Sequence, residues 1–253
     1  MAQNGHADSR ERAKRLILAG CVRIDGTVVE KPSLEIEGEV HIEVQEERFV
    51  GRGGEKLERA LSLFGIDPTG LRALDIGAST GGFTQCLLMH GAAHVVALDA
   101  GCDQLHPALR ADERVTNLEK YNARNLAAED VGTFDVAVMD VSFISQTYIL
   151  PRLPEVLLPH GVAVTLIKPQ FEAGRAALNK KGLVKSPKDR IFAISRVLYA
   201  AREAGLYCHG LAPSPIKGGD GNEEYLAFFT REACDKINDD SIEKTVKEGR
   251  VCR

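Results

Sequence analysis

Leu74-Asp75-Ile76-Gly77-Ala78-Ser79-Thr80-Gly81-Gly82-Phe83-Thr84 sets a carboxylate, three glycines and several hydroxyls between an apolar run and a helix-forming run. Glycines let the main chain approach a ligand, and a helix start offers unpaired N–H groups with partial positive charge. The stretch is therefore suited to holding a small polar or anionic group on backbone amides. Three chemistries compete for it. A dinucleotide turn would read G-x-G-x-x-G, but Ser79 stands at the second glycine position. A hydrolase elbow, G-x-S-x-G, fits Gly77-Ala78-Ser79-Thr80-Gly81, with Ser79 as nucleophile, Gly53-Gly54 as an oxyanion loop and His209 as base. In that class, however, the elbow follows several strands, whereas this turn follows the first. The third chemistry is an S-adenosylmethionine site. Asp75 can meet an amino group, and Asp99, 22 residues after Gly77, can accept both ribose hydroxyls. The Gly81 and Gly82 amides suit the carboxylate, and Asn122-Ala123 is placed to meet the adenine.

A second group of charged residues lies at strand ends. The apolar run 134–139 ends in Asp140, and the run 162–167 ends in Lys168, just before Pro169. A lysine closing a buried strand is costly without a partner or a task, and Asp140 is the obvious partner. Lys56 opens the helix before the sheet and Glu224 opens the last strand, so both can fold toward the same crevice. Solvated surface charge is the favoured reading of either of these two when each is taken alone.

Positioning such groups requires a parallel sheet. Strands are predicted at 73–76, 94–98, 115–118, 134–139, 162–167, 206–211 and 224–229. Helices are predicted at 55–64, 82–90, 103–110, 145–158 and 187–204, the last ending at Gly205 with Ile191, Ile194 and Leu198 as its core stripe. This alternation gives an α/β, doubly wound sheet whose ligands bind at the carboxyl ends of the strands. Residues 51–54, Gly-Arg-Gly-Gly, read as a flexible link, and 231–253 as a charged tail without an apolar stripe, either a loose extension or an exposed helix.

Residues 8–46 form a separate small α+β unit. Asp8 or Ser9 can cap a helix with Ala13, Leu16 and Ile17 on one face and Arg12, Lys14 and Arg15 round the other. Gly20 ends it. Asp25-Gly26 then joins two short β-prone runs, a strong hairpin signal, and 41–44 adds a further strand. The divisions are 1–7 as a disordered start, 8–46, a linker at 47–55, 56–230 and the tail 231–253.

The bulk properties exclude several classes. The 253 residues are 44% hydrophobic, and no apolar run approaches the roughly 18 to 20 residues that span a bilayer, so no membrane partner is expected. The first dozen residues are polar and show no secretory signal. Six scattered cysteines without a C-x-x-C pair argue against a disulfide framework and against zinc, which leads to a reduced, cytoplasmic protein with no metal. The net charge of −4 hides two basic segments: 10–23, with five cations against Glu11, and 168–190, with seven against Glu172 and Asp189. Such patches can follow a phosphate backbone.

Two resemblances sharpen this reading. Ser9-Arg10-x-x-Ala13-x-x-Leu16-Ile17-x-x-Gly20-x-Val22-x-Ile24-Asp25-Gly26-x-x-Val29-x-Lys31-Pro32 resembles the S4 RNA-binding module, which implies RNA contact through Arg10, Arg12, Lys14, Arg15 and Arg23. In that family a further helix with an Arg-Leu-Asp motif precedes this point, and its absence here implies a truncated start or a misassigned start codon. The rest is similar to the TlyA family of S4 plus FtsJ-like methyltransferases. The likeness is carried by Arg52-Gly53-Gly54-x-Lys56-Leu57, the glycine turn, Asp140-Val141-Ser142-Phe143-Ile144-Ser145, Lys168-Pro169-Gln170-Phe171-Glu172 and Gly221-Asn222-x-Glu224-Tyr225. It implies a Rossmann-like sheet of seven strands with the last antiparallel, and S-adenosylmethionine as methyl donor. The implied substrate is ribosomal RNA or a ribosomal subunit, methylated on a cytidine 2′-hydroxyl. It also implies a Lys56, Asp140, Lys168 and Glu224 tetrad, and a cofactor cradle of Asp75, Gly77, Ser79, Thr80, Gly81, Gly82, Phe83, Asp99, Asn122, Ala123 and Asp140. Members of the family also carry the name haemolysin, so a membrane-active protein is the non-enzymatic rival. RNA base methylation is the rival within the enzyme class, although no Asn/Asp-Pro-Pro-Tyr/Phe motif is present.

Overall fold

Asp25 and Gly26 both take left-handed φ, 49° and 78°, the backbone of a type I′ turn that matches the twist of flanking strands. They fold β1 (Val22–Ile24) onto β2 (Thr27–Val28), and β3 (Ile42–Val44) pairs antiparallel on the other side of β1. The computed structural model describes residues 1–253 apart from Gln3, Asn4, Asp8, Ala19, Glu30, Glu37, Gln45, Glu46 and Glu47, and apart from the side chains of Arg12, Arg15 and Leu18. Helix α1 (Arg10–Leu18) turns Ala13 and Leu16 onto Val22 to form a small core. Ala7, expected within a disordered start, is 9% exposed and belongs to that core, where a methyl group fills space at almost no side-chain entropy cost. The proposed cap Asp8 lies outside the described residues.

The chain divides into two units, Met1–Arg52 and Gly53–Arg253. In the second, seven strands lie in the order β6-β5-β4-β7-β8-β10-β9. They are β4 (Arg72–Ile76), β5 (His94–Leu98), β6 (Val115–Leu118), β7 (Phe134–Met139), β8 (Leu157–Ile167), β9 (Tyr207–Pro213) and β10 (Tyr225–Thr230). Only β10 runs antiparallel to its neighbours, as expected for the last strand. The order reverses between β4 and β7, and their register, Ile76 opposite Met139, brings Gly77 and Asp140 together at the switch point. Tyr225 pairs with Ile167 in the antiparallel sense, so Glu224, one residue before it, comes beside Lys168, one residue after Ile167.

Helices α2 (Gly53–Phe64), α3 (Gly82–Met89), α4 (Pro107–Arg110), α5 (Ala128–Val131), α6 (Leu153–Val156), α7 (Pro169–Glu172), α8 (Pro187–Glu203) and α9 (Asp239–Glu248) complete the unit. Four differ from the sequence reading. Gly53 and Gly54 open α2 instead of lying in a flexible link. Asp103 adopts a left-handed φ of 56°, and α4 starts only at Pro107, whose fixed φ suits a first turn. The helix predicted at 145–158 is broken into two 3₁₀ turns and the short α6, because Pro151 and Pro154 lack the N–H that a continuous helix requires; β8 begins already at Leu157. The core stripe of α8 is Ala193, Ile194, Val197 and Ala201, with Ile191 and Leu198 only partly buried.

The tail is a fifth difference. Its α9 buries Ile242, Thr245 and Val246 on one face, and Cys252 bridges Leu211 of β9. Three residues at helical spacing suffice for a stripe that the surrounding charges obscure. Truncating Ile242, 3% exposed, to alanine is expected to lower unfolding stability by about 2 to 4 kcal/mol in denaturant titrations. A loose extension would show no change.

Candidate active site

Gly77 sits at φ 85°, and a Cβ there would lie 2.8 Å from the Asp140 carbonyl oxygen, so only glycine lets β4 turn this close to the end of β7. Ser79 takes a left-handed φ of 49°, which aims its N–H at Asp99 Oδ2, 2.8 Å away; Gly101 N–H donates to Asp99 Oδ1 at 2.7 Å. Asp99 is thereby fixed at the end of β5. Beside it opens a cleft of about 420 Å³ that places six predicted cofactor residues together: Gly77, Ser79, Asp99, Asn122, Ala123 and Asp140.

The other five stand outside that wall. Thr80 is exposed, Gly81 (φ 97°) begins α3, and Gly82 and Phe83 are buried within it. Phe83 packs beside Gly53 at the start of α2, where an added Cβ would approach its ring to 3.2 Å. Asp75 lies fully buried and does not line the cleft. Its Oδ2 accepts from Thr84 Oγ1 at 2.6 Å, while Oδ1 is buried without a hydrogen-bond partner. Burial pushes its carboxyl up to about 7, and the neighbouring Asp140 and Asp99 charges add to the rise. A glycine cradle, an anchored carboxylate and an orphaned buried acid together fit a ligand that carries an ammonium and a ribose.

The charged residues form two pairs. Lys56 Nζ, on the first turns of α2, donates to Glu224 Oε2 at 2.5 Å, and the two side chains are 7% and 3% exposed. A Cβ at Gly218 would fall 2.5 Å from Glu224 Oε1, so any larger residue there must displace that carboxylate. Glu223 turns the other way, toward Arg190 and Lys217. Lys168 Nζ meets Asp140 Oδ1 at 2.6 Å in an ion pair whose angle falls short of a good hydrogen bond, and it donates to Ser142 Oγ at 2.8 Å. Burying ions is expensive without such mutual pairing.

The sequence reading did not single out Gln104 or Tyr121 on the cleft wall, nor Ser142 and Phe143 as individual site residues. Tyr121 was signalled by its position just before Asn122. Phe143 is 93% exposed with φ 63° and tilts against Phe171 at 5.3 Å. His209, weighed as a hydrolase base, lies on β9, separated from β4 by three strands, and its Nε2 sits 2.9 Å from the Glu232 carbonyl and 3.0 Å from Thr230 Oγ1. Ser79 therefore has no general base from that residue. In the small unit Arg10 and Lys14 are exposed, and Arg23 Nη1 donates to the Gly26 carbonyl at 3.0 Å; the side chains of Arg12 and Arg15 lie outside the described residues. Among the described residues no helix is long and apolar enough to cross a membrane, and no cluster of three metal-ligating side chains occurs.

Comparison with known proteins gives the family of the chain. The family model described as FtsJ-like methyltransferase matches residues 49–231, and that of the S4 domain matches residues 1–42. The chain is 40% identical over 257 residues to the 16S/23S rRNA (cytidine-2′-O)-methyltransferase TlyA of Mycobacterium tuberculosis, covering 98% of this chain and 96% of that protein. It is 44% identical over 228 residues to hemolysin A of Brachyspira hyodysenteriae, covering 89% and 95%. Among solved structures, one described as a hemolysin from Streptococcus thermophilus superposes with a TM-score of 0.79 at 38% identity, covering 98% of this chain and 92% of that one.

Proposed function

Since this chain belongs to the FtsJ-like methyltransferase family and carries an S4 domain, we propose that it methylates a cytidine 2′-hydroxyl of ribosomal RNA in the cytoplasm, with S-adenosylmethionine as donor. The observation that carries this reading is the Lys168–Asp140 ion pair, reinforced by Ser142, at the mouth of the glycine cleft and beside the buried Lys56–Glu224 pair.

The residues present would hold the donor in the following way. Asp99, held by two amides, would accept from the ribose hydroxyls, the Gly77 to Gly81 turn would take the carboxylate, and Asn122 and Ala123 would flank the adenine. When bound, the sulfonium supplies an electrophilic methyl group whose carbon–sulfur bonding pair stays with sulfur as the oxygen–carbon bond forms. The protein supplies orientation and charge. An ammonium has three N–H donors; Lys168 donates one to Ser142 and sets its charge against Asp140, which leaves a donor for the attacking oxygen. That donor orients the hydroxyl and stabilises the negative charge that grows as its proton passes to solvent water. Asp140 holds the ammonium in place between β7 and β8. Lys56 and Glu224 fix one another and close the nucleotide side of the crevice. Most of the acceleration then comes from holding two substrates in line. RNA phosphates would be met by the exposed Arg10 and Lys14, with Arg12, Arg15 and Arg23 on the same small unit.

The test is nucleoside mapping of ribosomal RNA with and without the protein. A new 2′-O-methylcytidine is the expected result. A methyl group on a base, or an unchanged RNA accompanied by membrane lysis that persists in Lys168→Ala, overturns the reading in favour of base methylation or the membrane-active alternative.

A further inference from the structure

Two of the sequence motifs extend beyond the residues that the reaction uses, and their far ends meet. Asp140-Val141-Ser142-Phe143-Ile144-Ser145 follows β7, and Lys168-Pro169-Gln170-Phe171-Glu172 follows β8. Their first residues form the Asp140–Lys168 ion pair. Their last residues are joined as well: Glu172 Oε2 accepts from Ser145 Oγ at 2.5 Å, and Glu172 Oε1 accepts from Gln146 N–H at 2.8 Å. Glu172 is 1% exposed, and a carboxylate is placed that deep only when its oxygens are well satisfied. The clamp is anchored to rigid elements on both sides. Gln146 Nε2 donates to the Leu166 carbonyl of β8 at 2.6 Å, and Arg196 Nη1 of α8 donates to the Glu172 carbonyl at 2.8 Å.

Between the two tied ends lies a short loop with a strained residue. Phe143 holds a left-handed φ of 63°, a conformation that a bulky side chain adopts only when its surroundings enforce it. One residue earlier, Ser142 gives its hydroxyl to Lys168. If the Ser145 end came free, Phe143 would relax toward ordinary φ and Ser142 would swing away from the ammonium.

We propose that Glu172 is a positioning residue for methyl transfer: by clamping Ser145 and Gln146 it holds the loop after β7 in the strained form that keeps Ser142 on Lys168. It touches neither RNA nor cofactor. The proposal rests on the 2′-O-methyl transfer reading, in which Lys168 faces the attacking hydroxyl.

The experiment compares the native full chain with Glu172→Ala, Glu172→Gln, Ser145→Ala and Lys168→Ala. It measures single-turnover methyl transfer to ribosomal RNA at saturating S-adenosylmethionine, together with the Kd for each substrate. Glu172→Ala is expected to slow transfer about ten- to hundredfold, the scale of a misplacement near 1 Å, with both Kd values within about threefold of native. Glu172→Gln keeps an acceptor for Gln146 N–H and can donate to Ser145 Oγ, so it should recover to within about threefold of native. A merely structural role would shift thermal stability and both Kd values without this split or this recovery. Should Glu172→Ala fail to fold, Ser145→Ala carries the test with a smaller slowing of the same pattern. Native rates in both Glu172→Ala and Ser145→Ala, with Lys168→Ala inactive, overturn the clamp alone. An active Lys168→Ala overturns the reaction assignment beneath it.

Discussion

Lys168→Ala is expected to bind S-adenosylmethionine within about threefold of the native affinity and to transfer methyl about a thousandfold more slowly, the upper range for loss of one oxyanion donor. The separation follows from where Lys168 sits. It closes β8, whereas Gly77, Ser79, Asp99, Asn122 and Ala123 line the cleft from β4, β5 and the segment after β6. Removing the ammonium leaves Asp140 without its cation, but that pair is the more open of the two, with side chains 11% and 18% exposed, so water can solvate the carboxylate. Lys56 is a poorer probe for this purpose. Its loss would strand Glu224, 3% exposed, and such an uncompensated buried charge costs about 3 to 5 kcal/mol. Lys168→Arg should not rescue transfer, because a planar guanidinium cannot place one N–H where an ammonium does while also meeting Asp140 and Ser142. The measurements are calorimetric titration with the cofactor and single-turnover assays on ribosomal RNA. Near-native transfer by Lys168→Ala would refute its assigned role.

Why Lys168 was legible in the sequence, and Glu172 was not, has a physical explanation. An apolar β-run that ends abruptly on a charge declares both its direction and the edge where ligands bind, so Asp140 and Lys168 could be paired by topology alone. The same reasoning placed β5, β6 and β7 to the residue, since their runs are bounded by turn signals on each side. Contacts distant in sequence left no such trace. Glu172 meets Ser145 across 27 positions, and Lys56 meets Glu224 across 168. No local periodicity encodes either, and only the resemblance of the ordered motifs singled Lys56 and Glu224 out from solvated surface charge. Helix reading failed where tertiary context overruled pattern. Pro151 and Pro154 broke a segment whose apolar residues still pack, and α9 formed from Ile242, Thr245 and Val246 amid charges that read as solvent-facing. The glycine turn was recognised as a cradle, yet the sequence could not tell which of its residues line the cleft, because Gly82 and Phe83 differ from Gly77 and Ser79 only in how far α3 has wound.

Asp75 makes the second large effect, and its sign can be worked out. Its carboxyl is raised from near 4 in an unfolded chain to about 7 in the folded protein, first by burial and then by the neighbouring Asp140 and Asp99 charges, against the Thr84 hydrogen bond. A group whose folded pKa is raised favours the folded state in acid, and that contribution is lost as pH rises through about 4 to 7. Three units correspond to a loss on the order of 4 kcal/mol by pH 8, with the cofactor absent. Asp75→Asn keeps an acceptor for Thr84 and carries no charge. It is therefore expected to be the more stable protein at pH 8, and to unfold at a denaturant midpoint that changes much less between pH 5 and 8 than that of the native chain. Cofactor binding should reverse the ranking. Asp75 Oδ1 is a buried acceptor without a partner, and the ammonium of S-adenosylmethionine is the partner that the sequence reading offers it. Native affinity should then climb as pH rises toward 7, by up to about tenfold per unit. Asp75→Asn should lose that climb and bind about ten- to hundredfold more weakly near pH 7.5, the worth of one charge-assisted hydrogen bond. Cofactor affinity that stays level from pH 5.5 to 7 in the native protein, alongside the stability slope, would remove the ammonium contact and leave Asp75 as an interior acid that serves Thr84 at the start of α3.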